Sequence, residues 1–138
     1  MLSPSSKELK KKIINRTAKV SVIGLGYVGL PLAMEIAKAG FNVIGIDTDK
    51  EKVEKINSKN SYIPGVTKEA LTRLVSQRKL IATSDYKILE EIDIVSICVP
   101  TPLRKTREPD ISYIIDAVSE VSQYLHQGQL IILESTTF

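Results

Sequence analysis

Residues 20–33 read VSVIGLGYVGLPLA, and this stretch decides the fold. A β-branched run at residues 20–23 leads into Gly24-Leu25-Gly26-Tyr27-Val28-Gly29, and an apolar-periodic helix is expected over residues 28–39. Strand, glycine-rich turn and helix in that order form the entry to a dinucleotide-binding βαβ unit. The unit needs an acidic residue at the end of its second strand. Asp47 stands there, 18 positions after Gly29 and directly behind the apolar run at residues 41–46.

Each position of the turn has a physical task. Gly24 allows the chain to turn sharply off the strand, and Gly26 lets the backbone approach a pyrophosphate. Gly29 lets the helix pack closely against the sheet. The helix start then offers unpaired N–H groups and the positive end of its dipole to phosphates. Asp47 is expected to accept hydrogen bonds from the adenosine ribose hydroxyls. A carboxylate there repels a 2′-phosphate, which favours NAD over NADP. A glycine turn without a ligand and a plain turn residue at 47 are the structural alternatives. Asp49 is suited to capping the helix that follows.

Outward from this unit the chain keeps alternating. Gly40 stops the first helix. A short helix is expected at residues 50–57, followed by a break at Pro64-Gly65. A helix at 67–77 then turns Ala70, Leu71, Leu74 and Val75 inward. A brief strand at 80–83, a helical turn at 86–91 and an apolar strand at 93–99 come next, the last of a type buried on both faces of a parallel sheet. After a polar loop at 101–109, Asp110 is expected to cap a long helix. Its stripe is Ile111, Ile114, Ile115, Val118, Val121 and Leu125, and Gly128 ends it before a last strand at 129–133. Strands separated by helices imply an α/β fold: a Rossmann-type, doubly wound parallel sheet with helices on both faces.

Residues 1–17 read as a basic leader helix outside the domain at 18–138. Ser5 and Glu8 have capping-box spacing, and Leu9, Ile13 and Ile14 form a thin apolar stripe. Six basic residues against Glu8 give residues 1–19 a charge of +5; the chain total is +3, so the remainder carries −2. A solvated helix lying on the domain edge is the plain reading; contact with a partner subunit is the alternative. A mildly acidic domain with no Trp and two Phe lacks the basic face that nucleic-acid binding needs. An apolar fraction of 43% with 25% charged residues matches a globular domain. No run approaches the roughly 20 apolar residues of a membrane span. The start of the chain lacks a secretory signal, so a cytoplasmic location is expected, and the single cysteine, Cys98, fits a reducing compartment. Cys98 reads as a buried structural thiol inside its strand, with no neighbouring base. His126 is expected to cap a helix end or to stand exposed.

The fingerprint VIGLGYVGLPLA, with CVPTP (98–102), EPDISY (108–113) and LESTT (133–137), closely resembles the UDP-glucose/GDP-mannose dehydrogenase family. The motifs SYI (61–63), VPTPL and REPDISY are most similar to its UDP-N-acetylglucosamine 6-dehydrogenase branch. The resemblance implies that Gly26, Tyr27 and Val28 meet the pyrophosphate of NAD, with Asp47 and Lys52 at the adenosine end. Thr101 and Pro102 would line the nicotinamide side, Glu134, Ser135 and Thr136 the junction of cofactor and substrate. Thr137 would support the catalytic water.

The family reaction oxidises the C6 alcohol of a UDP-sugar to a carboxylate with two NAD⁺, through a cysteine-bound thioester. UDP-N-acetylglucosamine is the favoured substrate and UDP-glucose the next. The nucleophilic cysteine is expected beyond Thr137, so the chain reads as truncated before a central helix and substrate domain, and inactive alone. No metal is implied, and a homo-oligomer is expected of the longer protein. The basic loop Arg104-Lys105-Thr106-Arg107 reads as solvated, with an anionic substrate as the alternative. Two other classes remain open: the first domain of a 3-hydroxyacid-type dehydrogenase, and a non-catalytic NAD-sensing module.

Overall fold

Five parallel strands carry the cleft-forming loops, and the computed structural model describes residues 1–135. The strands are β1 (Lys19–Ile23), β2 (Asn42–Ile46), β3 (Leu80–Thr83), β4 (Ile94–Ile97) and β5 (Leu130–Leu133), in the order β3-β2-β1-β4-β5. The helices are α1 (Pro4–Ile14), α2 (Gly29–Lys38), α3 (Lys50–Asn57), α4 (Lys68–Ser76) and α5 (Ser112–Ser122), with a 3-10 turn at Tyr86–Glu91. The register is in step across the sheet. Ile23 lies beside Ile46 and Ile97, Ile46 beside Thr83, and Ile97 beside Leu133. The residues that follow these strand ends therefore emerge side by side along one edge.

Period-two alternation divides the core between the two sheet faces. Val20, Val22, Val43 and Leu80 point to the face covered by α2, α3 and α4, where Leu30, Ala33, Ile56, Leu71 and Leu74 are buried. Ile23, Ile46, Val95 and Ile97 point to the other face, against Leu89, Ile92, Ala117 and Val121. Each Val, Leu or Ile among them contributes about 1.5–3 kcal/mol by leaving water. Buried Ser21 is satisfied, its hydroxyl donating to the Ile44 carbonyl at 2.9 Å.

Helix α1 crosses the amino ends of the strands. Its Lys12 Nζ pairs with Asp93 at 3.0 Å, and Arg16 Nε donates to the Ala39 carbonyl at 2.7 Å. No residue of α1 is buried. Its cap is Ser3, whose hydroxyl accepts from Ser6 N–H, rather than Ser5; Pro4 follows at the first helical position, where its missing N–H costs nothing.

Two expectations on the far side need correction. The last helix stops at Ser122 and does not reach Leu125, and its first flanking residue is Ile111. Asp110 still helps from one position earlier, accepting from Ser112 N–H at 3.0 Å. Of the anticipated stripe only Val121 is buried, together with Ala117; Ile115, Val118 and Leu125 face solvent. His126 lies past the helix, its Nε2 2.7 Å from the Ile92 carbonyl.

Candidate functional site

A cleft of about 740 Å³ opens along the carboxyl edge of the sheet, at the switch point between β1 and β4. Gly24 leaves β1 with φ +92°, a conformation that excludes a side chain, and its N–H donates to the Ile46 carbonyl at 2.8 Å. A Cβ added at Gly29 would lie 1.6 Å from the Gly24 carbonyl oxygen and 3.3 Å from Cys98 Cβ. The turn therefore closes on itself as well as on the sheet. At Gly26 a Cβ would meet nothing within 4 Å. Two of the three glycines are demanded by the protein's own atoms, and the third faces open space in the cleft.

Helix α2 begins beneath that space. Val28 precedes it without a side-chain cap, and its first turn has no acidic residue, so no side chain of the helix competes for its leading N–H groups. Pro31 sits in that first turn, where it removes no intrahelical bond.

Asp47 emerges beside the turn. Its Oδ2 accepts from Leu25 N–H at 2.9 Å and its Oδ1 from Asp49 N–H at 2.8 Å. Each carboxylate oxygen has capacity for a second donor, so ribose hydroxyls can be taken while the turn stays pinned. Asp49 caps α3, accepting from Glu51 N–H at 2.9 Å. The turn role thus leaves acceptor capacity free at position 47.

The cleft lining brings together Gly24, Gly26, Tyr27, Val28, Asp47 and Lys52 at one end. Thr101 and Glu134 join them from the loops after β4 and β5. Gly29 is buried behind the lining, and Pro102 stands outside it, its carbonyl accepting from Asp110 N–H at 2.7 Å. Thr136 and Thr137 lie outside the described residues. The basic loop is an exposed turn closed by a Leu103–Pro109 bridge and an Arg104–Asp110 contact at 3.5 Å; its cations do not line the cleft.

Cys98 departs from its expected place. It lies just beyond β4, under the glycine turn, and contributes to the cleft floor while 8% exposed. Burial pushes its thiol pKa up, a Ser96 hydrogen bond pulls against that, and the Glu134 charge raises it further. A thiol held protonated in this way is a poor nucleophile.

Sequence reasoning missed the second wall. Tyr86, from the 3-10 turn, lines the cleft together with Tyr113 and Asp116 from the start of α5. Burial raises the Tyr86 pKa, and the carboxylates of Glu120, Asp47 and Asp116 add to it, so the hydroxyl stays a donor. Tyr113 and Asp116 share one helix face by their three-residue spacing, a signal that the apolar stripe of the same helix concealed.

Residues 18–138 match the sequence profile of the UDP-glucose/GDP-mannose dehydrogenase family, NAD binding domain. A UDP-N-acetyl-D-mannosamine dehydrogenase of Pyrococcus horikoshii is 38% identical over 120 residues, covering 86% of this chain and 28% of that protein. A UDP-N-acetyl-D-glucosamine 6-dehydrogenase of Salmonella typhi is 34% identical over 120 residues, 87% of this chain and 27% of its own. The solved GDP-mannose dehydrogenase of Pseudomonas aeruginosa superimposes with a TM-score of 0.81 at 30% identity, over 86% of this chain and 28% of that one. The chain thus spans a little over a quarter of the length of these relatives.

Proposed function

Because the chain belongs to the UDP-glucose/GDP-mannose dehydrogenase family and corresponds to its NAD-binding domain, we propose that it is the cofactor-holding part of a nucleotide-sugar 6-dehydrogenase. The whole protein would oxidise the C6 alcohol of a UDP-sugar to the carboxylate with two NAD⁺, in the cytoplasm and as a homo-oligomer. An N-acetylhexosamine is the favoured sugar, because several similar relatives are named for one; UDP-N-acetylglucosamine stands among the candidates. The family match over residues 18–138 sets aside the 3-hydroxyacid alternative.

The observation that carries the cofactor assignment is the contrast among the glycines. Of the three fingerprint glycines only Gly26 opens on free space, and that is where the fingerprint requires a pyrophosphate. In this reading the amides of Gly26, Tyr27 and Val28 hold the pyrophosphate, aided by the positive end of α2. Asp47 binds the adenosine ribose, and Lys52 approaches the same end. Two carboxylates, Asp47 and Asp49, against the single Lys52 disfavour a 2′-phosphate at this end. Thr101 and Pro102 are assigned to the nicotinamide side, although Pro102 stands outside the lining and would reach the cofactor only through its loop. Glu134 and the segment to Thr137 are assigned to the junction with the sugar. NAD⁺, when bound, supplies the acceptor for hydride from the sugar carbon. The chain's own residues bind and orient it.

Turnover needs a thiolate that this chain does not offer, since Cys98 is desolvated and kept protonated. We place the nucleophile, a central helix and a substrate domain in further chain, a division supported by the share of the relatives' length that is matched. The decisive experiment is a calorimetric titration with NAD⁺ and NADP⁺, on the wild type and on Asp47→Ala. Heat with NAD⁺ alone, weakened about tenfold or more in the variant, is expected for a lost charge-assisted contact. Equal affinity for NADP⁺, or an unaffected variant, would refute the assignment. No UDP-sugar should be oxidised by these 138 residues.

A further inference from the structure

The connection between α3 and α4 lies outside the cleft lining, yet one of its side chains reaches the glycine turn. Tyr62 donates its hydroxyl to the Leu25 carbonyl at 2.6 Å, across 37 positions of sequence. Its ring packs against the buried cluster beneath α2 and α4, and neighbouring Ile63 is itself in that cluster. Lys52 Nζ stands 5.9 Å from the ring centroid. The donor is therefore anchored at its base and held at its tip.

Leu25 is consequently fixed from three sides. Its N–H donates to Asp47, its carbonyl accepts from Tyr62, and its side chain is fully buried against β2. A Cβ at Gly45 would lie 2.8 Å from both Leu25 methyl carbons, so that glycine is what leaves room for the side chain. The Leu25 carbonyl and the Gly26 N–H belong to one planar trans peptide and point in opposite directions. Holding the carbonyl toward the protein turns the amide away from Tyr62. The residue that gives the cofactor its space, Gly26, also makes this peptide unit easy to rotate, because no Cβ opposes the motion. An outside contact is needed to hold it.

We propose that Tyr62 is a positioning residue for cofactor binding, its hydroxyl orienting the Leu25–Gly26 peptide so that the Gly26 amide is presented to the pyrophosphate. The proposal rests on the assignment of the cleft to NAD and deepens it. Burial, reinforced by the charges of Asp47 and Asp49, raises the Tyr62 pKa, so the hydroxyl keeps its proton for donation near neutral pH. The contact therefore does not switch off with pH in the ordinary range.

The test is Tyr62→Phe, which removes one oxygen, beside Val75→Ala, which loosens the same cluster from α4 without reaching the turn. Calorimetry with NAD⁺ and with ADP-ribose should show Tyr62→Phe binding both about five- to tenfold more weakly, the effect of one lost hydrogen bond. Val75→Ala should bind both as the wild type does, even where its thermal midpoint falls further. Wild-type affinity in Tyr62→Phe would overturn the proposal, as would an equal loss in Val75→Ala. A wild type that binds neither ligand would count against the NAD assignment instead. The amide spectrum of ¹⁵N-labelled, ligand-free protein then decides the positioning role by itself. Shifts centred on Leu25 and Gly26 in an otherwise native spectrum support it, and an unmoved Gly26 amide overturns it.

Discussion

At the scale of single residues, neighbouring glycines of one motif answer to different forces. Gly29→Ala must push a methyl group into the Gly24 carbonyl, a backbone atom that cannot step aside. It should destabilise the domain by about 3 kcal/mol or more, visible as a shifted denaturant midpoint. Gly26→Ala meets no protein atom, so its stability should stay within about 1 kcal/mol of wild type while NAD⁺ affinity drops more than about tenfold. Normal binding by Gly26→Ala would mean that the pyrophosphate lies elsewhere. Cys98 supplies a pH dependence. Its thiol is raised in the fold by burial, so the unfolded chain loses that proton first as pH rises. The stabilising contribution is whole below the ordinary thiol pKa and is lost as pH climbs through it and toward the folded value. The thermal midpoint should fall from about pH 8.5 upward, and Cys98→Ala should flatten the first part of that fall. An unchanged slope there would show that the thiol does not set it, since the raised tyrosines, Tyr62 and Tyr86, contribute only as pH nears the ordinary phenol value of about 10.

At the scale of elements, the two edges of the sheet have separate duties. The carboxyl edge carries the turn after β1, Asp47 after β2, and the loops after β4 and β5. The amino edge is crossed by α1, which is fixed by Lys12–Asp93 and by Arg16 on the Ala39 carbonyl. Asp93 retains a second partner, the Lys19 N–H at 2.8 Å, so losing α1 does not orphan it. Removal of residues 1–17 should therefore lower the thermal midpoint by only about 3–6 °C. NAD⁺ affinity should stay within about twofold, since no α1 residue lines the cleft. A large loss of affinity would show that the helix tunes the far edge through the strands.

For the whole molecule, the burden of burial is uneven. The β1–β2–β3 side is closed by α2, α3 and α4, whereas α5, β5 and the segment between them leave Ile115, Val118, Leu125, Leu130, Ile131 and Leu133 in contact with water. Large apolar groups exposed on an outer strand and on the helix before it leave a surface open to a covering segment. The match to little more than a quarter of the relatives' length is consistent with further chain as the cover. Until it is covered, this side should bind an apolar dye such as anilinonaphthalene sulfonate in the native state. Val118→Lys with Ile115→Lys should reduce that signal at least about twofold without lowering the thermal midpoint. Equal dye binding by the double variant would place the apolar surface elsewhere.

By itself the sequence determined the order of strands and helices, the parallel sheet and the residues that line one end of the cleft. These features are written in short-range patterns: β-branched runs, helical spacing, a glycine triplet and an acid at a strand end. It overextended the last helix to Leu125, because periodicity registers apolar spacing whether or not anything packs against it. Only the tertiary structure separated Gly26 from Gly24 and Gly29, put Cys98 beneath the turn, and brought Tyr86 and Tyr113 into one lining. Only it brought Tyr62 to the Leu25 carbonyl. Those facts depend on which strand ends become neighbours in space, and a parallel sheet makes neighbours of residues that the chain keeps tens of positions apart.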